Sequence, residues 1–274
     1  VRLTEAYQRF VPHQLLHHLK KESILEVSLG DQVHLEMSIM FSDIRSFTTI
    51  SEKMTPKENF GFVNSYLNKM GPIVRTNRGY IDKFMGDGIM AIFPESPCDA
   101  VGAAIKMQHE LNELNKSDVY NKNPISIGIG INTGMMMLGT IGEDDRMEGS
   151  VISDAVNLAA RLEELTKVYK AKILISEDTA TNLKLGSFST RLVDVVAVKG
   201  RAEAVSVFEV LDGESHDIYN GKIITKPIFS KAFDLYQAQK IEEAFKLFSE
   251  CKEKNPTDGA VDYYIQYCEQ LIEK

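Results

Sequence analysis

The sequence predicts a mixed α/β domain followed by a small helical extension. From residue 36 to residue 212, short apolar runs typical of strands alternate with longer segments of helical periodicity. One run, 125–131, alternates isoleucine with Ser or Gly, which indicates a buried strand that other backbone approaches closely. Beyond residue 212 the strand-like runs stop. We therefore expect a core domain over 36–212 and a helical extension over 213–274.

The first 35 residues predict a linker. Apolar and charged residues are mixed there, with Leu15, Leu16 and Leu19 among histidines and lysines, which indicates a short helix followed by an irregular stretch. The chain opens at Val1, so we expect it to be part of a longer protein.

The elements of the core follow in order. A strand is expected over 36–41, and a Ser/Thr-rich turn leads into a helix over 56–76. Two apolar runs flank Gly86-Asp87-Gly88, a pattern typical of a hairpin with Asp87 at its tip. The remaining predicted elements are a helix over 97–116, the strand 125–131, a helix from Ser153 or Asp154 to Lys167, and strands at 172–176, 191–198 and 205–210.

The extension has a different pattern. Ala232, Tyr236, Ala244 and Phe248 precede Asn255-Pro256 and a closing helix, an arrangement that resembles a single tetratricopeptide-like helical pair. A plain helical hairpin explains the same residues. Because one repeat cannot bury its own apolar face, we expect it to pack on the core or on a second chain.

Composition excludes several classes of protein. A net charge of −8 argues against nucleic-acid binding, which needs a dense basic surface. Cys98, Cys251 and Cys268 are odd in number and form no C-x-x-C pair, so we expect reduced thiols and a cytoplasmic location. No apolar run approaches the ~20 residues that span a bilayer, so no membrane segment is predicted in this chain.

Asp43 and Asp87 are candidate metal ligands. One follows a predicted strand and the other lies at a hairpin tip, so adjacent strands would bring the two carboxylates to one edge of the sheet. Paired carboxylates are costly without a cation, and oxygen ligands suit Mg²⁺ or Mn²⁺. In the alternative interpretation, Asp43 caps the next helix and Asp87 serves only the turn.

Two further segments carry candidate substrate contacts. The loop 44–48 lies between a strand and a helix, where free N–H groups favour a polyphosphate, so Phe47 and Thr48 are candidate binding residues. Asn157 and Arg161 are four residues apart on one helix face, and an Arg fork suits a phosphorus centre that gains negative charge. Alternatively, Arg161 is a surface residue paired with Glu164.

Five motifs together resemble the class III adenylate and guanylate cyclases. In chain order they are Phe41-Ser42-Asp43-Ile44-Arg45-Ser46-Phe47-Thr48, Lys83-Phe84-Met85-Gly86-Asp87, Gly128-Ile129-Gly130-Ile131-Asn132-Thr133-Gly134, Asp154-Ala155-Val156-Asn157-Leu158-Ala159-Ala160-Arg161-Leu162 and Val198-Lys199-Gly200. The resemblance implies a ferredoxin-like βαββαβ core that is active as a head-to-tail homodimer. It also implies that the opening segment links this domain to an upstream sensor.

The resemblance implies a role for each matched residue. Asp43, Asp87 and the carbonyl of Ile44 match the ligands of two divalent metal ions, Mg²⁺ or Mn²⁺. The other matches are Lys83 and Ser150 to the purine-reading positions, Asn157 to the ribose-orienting asparagine, Arg161 to the transition-state arginine and Lys199 to a triphosphate-binding lysine. Met135 departs from the pattern, because some family members carry an arginine there.

The function implied by the resemblance is conversion of ATP to cyclic AMP and pyrophosphate. Guanylate cyclases usually carry Glu and Cys at the two base-reading positions, so Lys83 with Ser150 favours adenine. The alternatives are a guanylate or relaxed purine cyclase, a non-catalytic regulatory domain that keeps the fold, and a protein-interaction module built on the helical extension.

Overall fold

The computed structural model describes residues 13–117, 120, 123–143, 145–197 and 204–273. Its strands are β1 (Gln32–Ile44), β2 (Tyr80–Met85), β3 (Gly88–Phe93), β4 (Ile127–Glu143), β5 (Arg146–Ile152), β6 (Ile173–Ser176), β7 (Thr190–Val196) and β8 (Val205–Val210). Its α-helices are α1 (His13–His18), α2 (Phe47–Ser51), α3 (Pro56–Thr76), α4 (Pro97–Leu114), α5 (Asp154–Val168), α6 (Glu177–Thr181), α7 (His216–Gln237), α8 (Ile241–Lys254) and α9 (Gly259–Ile272).

The strands form one sheet in the order β2-β3-β1-β4-β6-β8-β7, with β5 paired to β4. β1 is antiparallel to both β3 and β4, whereas β4 and β6 are parallel. The first four strands and their connecting helices give the βαββαβ order, which confirms the predicted ferredoxin-like core. β1 begins at Gln32, so the irregular stretch expected up to residue 35 ends four residues earlier.

Helices cover both faces of the sheet. On one face, α3 and α4 pack against a cluster that includes Met40, Ile129 and Ile131. On the other face α5 lies directly against the backbone of β4, since a Cβ at Gly130 would come within 2.2 Å of the amide nitrogen of Glu163. The close approach predicted from the Ile-Gly alternation is therefore present, and it fixes the position of α5 on the sheet.

The sequence did not predict the length of β4 or its pairing with β5. β4 continues ten residues beyond Thr133 and pairs with β5 from Met137↔Ile152 to Glu143↔Arg146. Consecutive methionines at 135–137 break the alternation that marks a strand, and the predicted strand therefore ended at residue 131.

The C-terminal helices α7, α8 and α9 pack on the core domain. Phe229, Phe248 and Tyr264 share one apolar cluster with Leu158 and Leu162 of α5. The apolar face of the extension is thus buried within the same chain, one of the two expected arrangements. It contains three helices rather than a pair, because α7 begins at His216, before the predicted repeat.

All three cysteines are free, and Cys251 and Cys268 are buried. In the described ranges no helix is both long enough and apolar enough to cross a membrane.

Candidate active site

Asp43 and Asp87 lie together at one end of the sheet. Asp43 is the penultimate residue of β1, and Asp87 lies in the turn between β2 and β3. β3 pairs with β1 through Ser42↔Ile89, which brings this turn beside Asp43. The amide of Ile44 donates a hydrogen bond of 3.1 Å to Asp87 Oδ2. The two predicted metal ligands therefore converge, as hydrogen-bonded neighbours on paired strands.

The charges at this site are poorly balanced. Burial raises the pKa of Asp87 to about 7, helped by the hydrogen bond that its protonated form donates to Asp43 and by the negative charge of Asp43. In the described part of the chain, no group of three or more His, Cys, Asp and Glu side chains is placed to hold a metal. Two carboxylates that repel each other fit a hard divalent cation whose remaining ligands are backbone, water or substrate oxygens.

Lys167 also lies at this site, and the sequence analysis did not identify it. Its ammonium is 3.8 Å from Asp43 Oδ2 and 3.5 Å from Glu163 Oε2. The i, i+4 spacing of Glu163 and Lys167 on α5 was visible, but only the fold places the end of α5 beside β1. Lys167 provides a partial counter-charge to the aspartates, because its side chain remains 48% exposed.

The loop after Asp43 is built differently from the expectation. Ser46 has a positive φ of 55°, and α2 is a single short turn that follows it. The ring of Phe47 stacks on Phe62 at 6.3 Å and packs against the core, whereas Thr48 is exposed. The ring of Phe47 is therefore structural, and the loop offers a ligand backbone groups and the side chain of Thr48. Asp43 does not cap α2, because Ser46 occupies the N-cap position.

The base-reading candidates Lys83 and Ser150 lie on β2 and β5. Lys83 is half-buried, 3.6 Å from Asp82, and Ser150 pairs with Gly139 of β4. Burial raises the pKa of Asp82, and the negative charge of Glu148 on β5 adds to the shift. Tyr80 of β2 and Val151 of β5 also belong to one buried apolar cluster, so the strand of Lys83 and the strand of Ser150 contact the same part of the core.

Asn157 and Arg161 are exposed on α5, whose buried face carries Leu158 and Leu162. Ser153 caps the helix through the amide of Ala155. Arg161 Nη1 donates a hydrogen bond of 2.8 Å to the carbonyl of Ala197, immediately after β7. This bond, rather than the pair with Glu164, fixes the guanidinium.

Asn157 borders an open pocket of about 430 Å³ that lies beside the end of β5. Met135, at the position where some relatives carry arginine, is 60% exposed. Lys199 lies outside the described residues, so the structure does not place the predicted triphosphate lysine.

One chain brings together the two aspartates but not all of the predicted site. Arg161 is held at the end of β7, and β7 lies four strand spacings from β1 in the sheet. At about 4.8 Å per spacing, that is roughly 19 Å. Within a single chain, the metal candidates and the transition-state candidate are therefore held apart.

A family model described as "Adenylate and Guanylate cyclase catalytic domain" matches residues 30–211. Its description covers both purine bases and so does not choose between them. The match spans the sheet and the helices that carry every candidate described above.

Comparison with curated proteins gives similar relatives. The chain is 40% identical to an adenylate cyclase of Dictyostelium discoideum, described as terminal-differentiation specific, over 98% of this chain and 13% of that protein. It is 42% identical to an adenylate cyclase of Anabaena cylindrica over 75% of this chain and 43% of that protein. The chain thus spans less than half the length of either relative.

A solved structure shares the fold. The crystal structure of an adenylyl cyclase from P. aeruginosa is 33% identical, with a TM-score of 0.59, and the match covers 68% of this chain and 98% of the solved one.

Proposed function

Because this chain belongs to the adenylate and guanylate cyclase catalytic domain family, we propose that it converts ATP to 3′,5′-cyclic AMP and pyrophosphate. The observation that carries the proposal is the convergence of Asp43 and Asp87, where burial and then the neighbouring Asp43 raise the pKa of Asp87 to about 7. Both curated relatives described above are named adenylate cyclases, which favours ATP as the substrate.

Two divalent ions, Mg²⁺ or Mn²⁺, would be held by Asp43, Asp87 and the carbonyl of Ile44. When bound, they supply Lewis acidity to the ribose hydroxyl and charge neutralisation to the triphosphate. The chain contributes a fixed pair of carboxylates, which the amide of Ile44 orients. Thr48 and the backbone of the loop 44–48 would contact the phosphates.

The remaining roles belong to groups on α5 and after β7. Arg161 donates to the α-phosphorus oxygens as negative charge develops, because a guanidinium stays protonated and offers two parallel donors. Asn157 orients the ribose, and Lys199 binds the triphosphate. The 3′ oxygen of the ribose attacks the α-phosphorus, and the bond between the α-phosphorus and the pyrophosphate oxygen breaks. The proton of the 3′ hydroxyl leaves to solvent.

The site is completed by a second copy of the chain. The separation between β1 and the end of β7, which holds Arg161, supports this arrangement, since strand spacing puts it at roughly 19 Å within one protomer. Apolar side chains are also exposed around the β2–β3 turn and the β4–β5 arm: Phe84, Met85, Met135, Ile141, Met147 and Ile152. Such an apolar surface is suited to a partner of the same kind. A head-to-tail homodimer has two equivalent sites.

Lys83 and Ser150 are proposed to read the purine ring. A lysine donates to a ring nitrogen acceptor, and a serine hydroxyl accepts from the exocyclic amine, which matches adenine. The second candidate function is a guanylate or relaxed purine cyclase, because the short side chain of Ser150 discriminates less than a longer one.

A non-catalytic role is disfavoured by the intact set of matched residues, and an interaction-module role is disfavoured by the burial of the helical extension against the core. Because the chain spans only part of its relatives, an upstream regulatory domain is proposed for the full-length protein.

The test is a metal-dependent assay with ATP and GTP side by side. We expect cyclic AMP only when Mg²⁺ or Mn²⁺ is present, and a loss of more than about 100-fold in Asp87→Ala. Asp99→Ala is the control, because Asp99 pairs with Arg78 outside the site. Wild-type turnover by Asp87→Ala would refute the metal assignment, and higher kcat/KM for GTP would favour the second candidate.

A further inference from the structure

A buried network of charges joins the sheet to the C-terminal helices. Arg191 of β7 is fully buried, and its guanidinium donates hydrogen bonds of 2.6 and 2.7 Å to Asp258 at the start of α9. Its Nε donates to Glu209 of β8 at 2.7 Å. Lys222 of α7 donates to Glu209 at 2.6 Å. Each charge has a partner of the opposite sign.

Such a network fixes the position of the C-terminal helices relative to β7 and β8. Burial alone would raise the pKa of Asp258, but the hydrogen bonds from Arg191 together with the positive charges of Arg191 and Lys222 lower it. The guanidinium is also stacked 4.4 Å above the ring of Phe229 of α7. A bidentate, fully desolvated ion pair tolerates little displacement, because moving either partner leaves a buried charge unpaired.

The network acts on the strand that holds Arg161. β7 runs from Thr190 to Val196, and the next residue, Ala197, supplies the carbonyl that accepts from Arg161. Along this strand, Tyr264 of α9 donates a hydrogen bond of 2.7 Å to the carbonyl of Val193. The C-terminal helices therefore hold β7 at Arg191 and Val193, six and four residues before the residue that accepts from Arg161.

The same helices support α5 from behind. Leu158 and Leu162, on the buried face of the helix that carries Arg161, pack in the aromatic cluster of Phe229, Phe248 and Tyr264. In contrast, the core behind Asp43 and Asp87 is built from β1, β3, α3 and α4, and the buried residues described there include none from α7, α8 or α9. The extension therefore packs behind the part of the proposed site that carries Arg161, and not behind the part that carries Asp43 and Asp87.

We infer that the C-terminal helices position Arg161 for catalysis, with the Asp258–Arg191 pair as their anchor on β7. The inference rests on the proposed function and adds a role to residues outside the match at 30–211. Asp258 acts through β7 and Ala197 and is a positioning residue, because it does not touch the site.

The test uses Asp258→Asn in the full chain. Asn preserves the shape and the N-cap of α9, where Asp258 accepts from the amide of Ala260, and it removes the negative charge and one of the two oxygens that accept hydrogen bonds from Arg191. We expect kcat to fall about 10- to 100-fold while KM for ATP changes less than about twofold, because a small displacement of a catalytic group costs rate rather than binding. The control, Asp99→Asn, should keep kcat within about twofold.

Mixing Asp258→Asn with other variants shows whether it damages the part of the site that carries Arg161 or the part that carries the metal ligands. In a head-to-tail dimer, Asp258→Asn mixed with Asp87→Ala should recover about a quarter of wild-type activity, because one site in each mixed dimer escapes both lesions. Mixed with Arg161→Ala it should not recover, since each site then carries one lesion of the Arg161 half. Where Asp87→Ala and Arg161→Ala complement each other, recovery of Asp258→Asn with both partners or with neither would overturn the inference. An unchanged kcat in Asp258→Asn would also overturn it.

Two additions keep this test independent of the dimer model and of folding. If Asp87→Ala and Arg161→Ala fail to complement each other, the shared site is wrong, and the positioning role is then judged by adding Asp258→Asn to Arg161→Ala, where it should cost less than about twofold further. A larger additional loss would overturn it. If Asp258→Asn does not fold, as judged by circular dichroism, Tyr264→Phe removes the hydrogen bond to Val193 and should give a smaller change of the same pattern.

Discussion

The ammonium of Lys167 lies 3.8 Å from the carboxylate of Asp43. A lysine on α5 therefore provides positive charge where a metal ion is proposed to bind. An ammonium and a divalent cation compete for the same carboxylate, so metal binding weakens this ion pair.

Lys167→Met should tighten metal binding in the absence of nucleotide. A partly exposed ion pair contributes about 0.5–1 kcal/mol, so the Kd for Mn²⁺ should fall roughly two- to fivefold. Electron paramagnetic resonance of free Mn²⁺ measures this directly. Lys170→Met is a matched control, because Lys170 pairs with Asp262 of α9 instead. Unchanged or weaker Mn²⁺ binding in Lys167→Met would contradict the competition.

The raised pKa of Asp87 predicts a pH-dependent stability of the metal-free protein. The pKa is about 7 in the folded chain, above the ordinary value of 3.8. Between these values the unfolded chain releases a proton that the folded chain retains, so the contribution of Asp87 to stability falls as pH rises from 4 to 7.

Asp87→Asn removes this titration. The variant should match wild type near pH 4 and exceed it above pH 7, by about 1–2 kcal/mol once screening of this partly exposed group is allowed for. Thermal unfolding in EDTA across this pH range is the measurement. A stability difference that does not change with pH would show that Asp87 has an ordinary pKa. Mn²⁺ binding to wild type should also strengthen as pH rises toward 7, since the metal displaces the proton.

Exchange of the base-reading residues should change the preferred purine. Lys83→Glu with Ser150→Cys inverts the donor and acceptor pattern that faces the ring, so kcat/KM should fall for ATP and rise for GTP. The ratio of the two values should move at least about tenfold. The single variant Lys69→Glu is the charge control, because Lys69 pairs with Glu110 away from β2. If the ratio stays constant, other residues read the base.

Complementation tests the shared site. Asp87→Ala and Arg161→Ala should each be nearly inactive, and a random mixture should recover about a quarter of wild-type activity. Recovery should rise with protein concentration if the dimer is weak. A mixture that stays inactive, although fluorescence energy transfer shows that the chains exchange, would place each complete site within one chain.

The sequence by itself determined the family, the order of the core elements and the convergence of Asp43 with Asp87. These follow from local signals, because a hairpin tip and a strand end are set by neighbouring residues and by strand pairing. Gly130 likewise predicted the close contact of a strand with other backbone, which α5 provides.

Only the tertiary structure decided the contacts that join distant segments. Lys167 reaches Asp43, Arg161 reaches Ala197, and Arg191 is buried against Asp258, at separations of 124, 36 and 67 residues along the chain. No periodicity encodes these pairs, because each depends on where a helix is packed on the sheet. In the sequence the C-terminal helices resemble a small appendage. Their apolar faces share one buried cluster with residues of β7 and α5, so they complete the core instead.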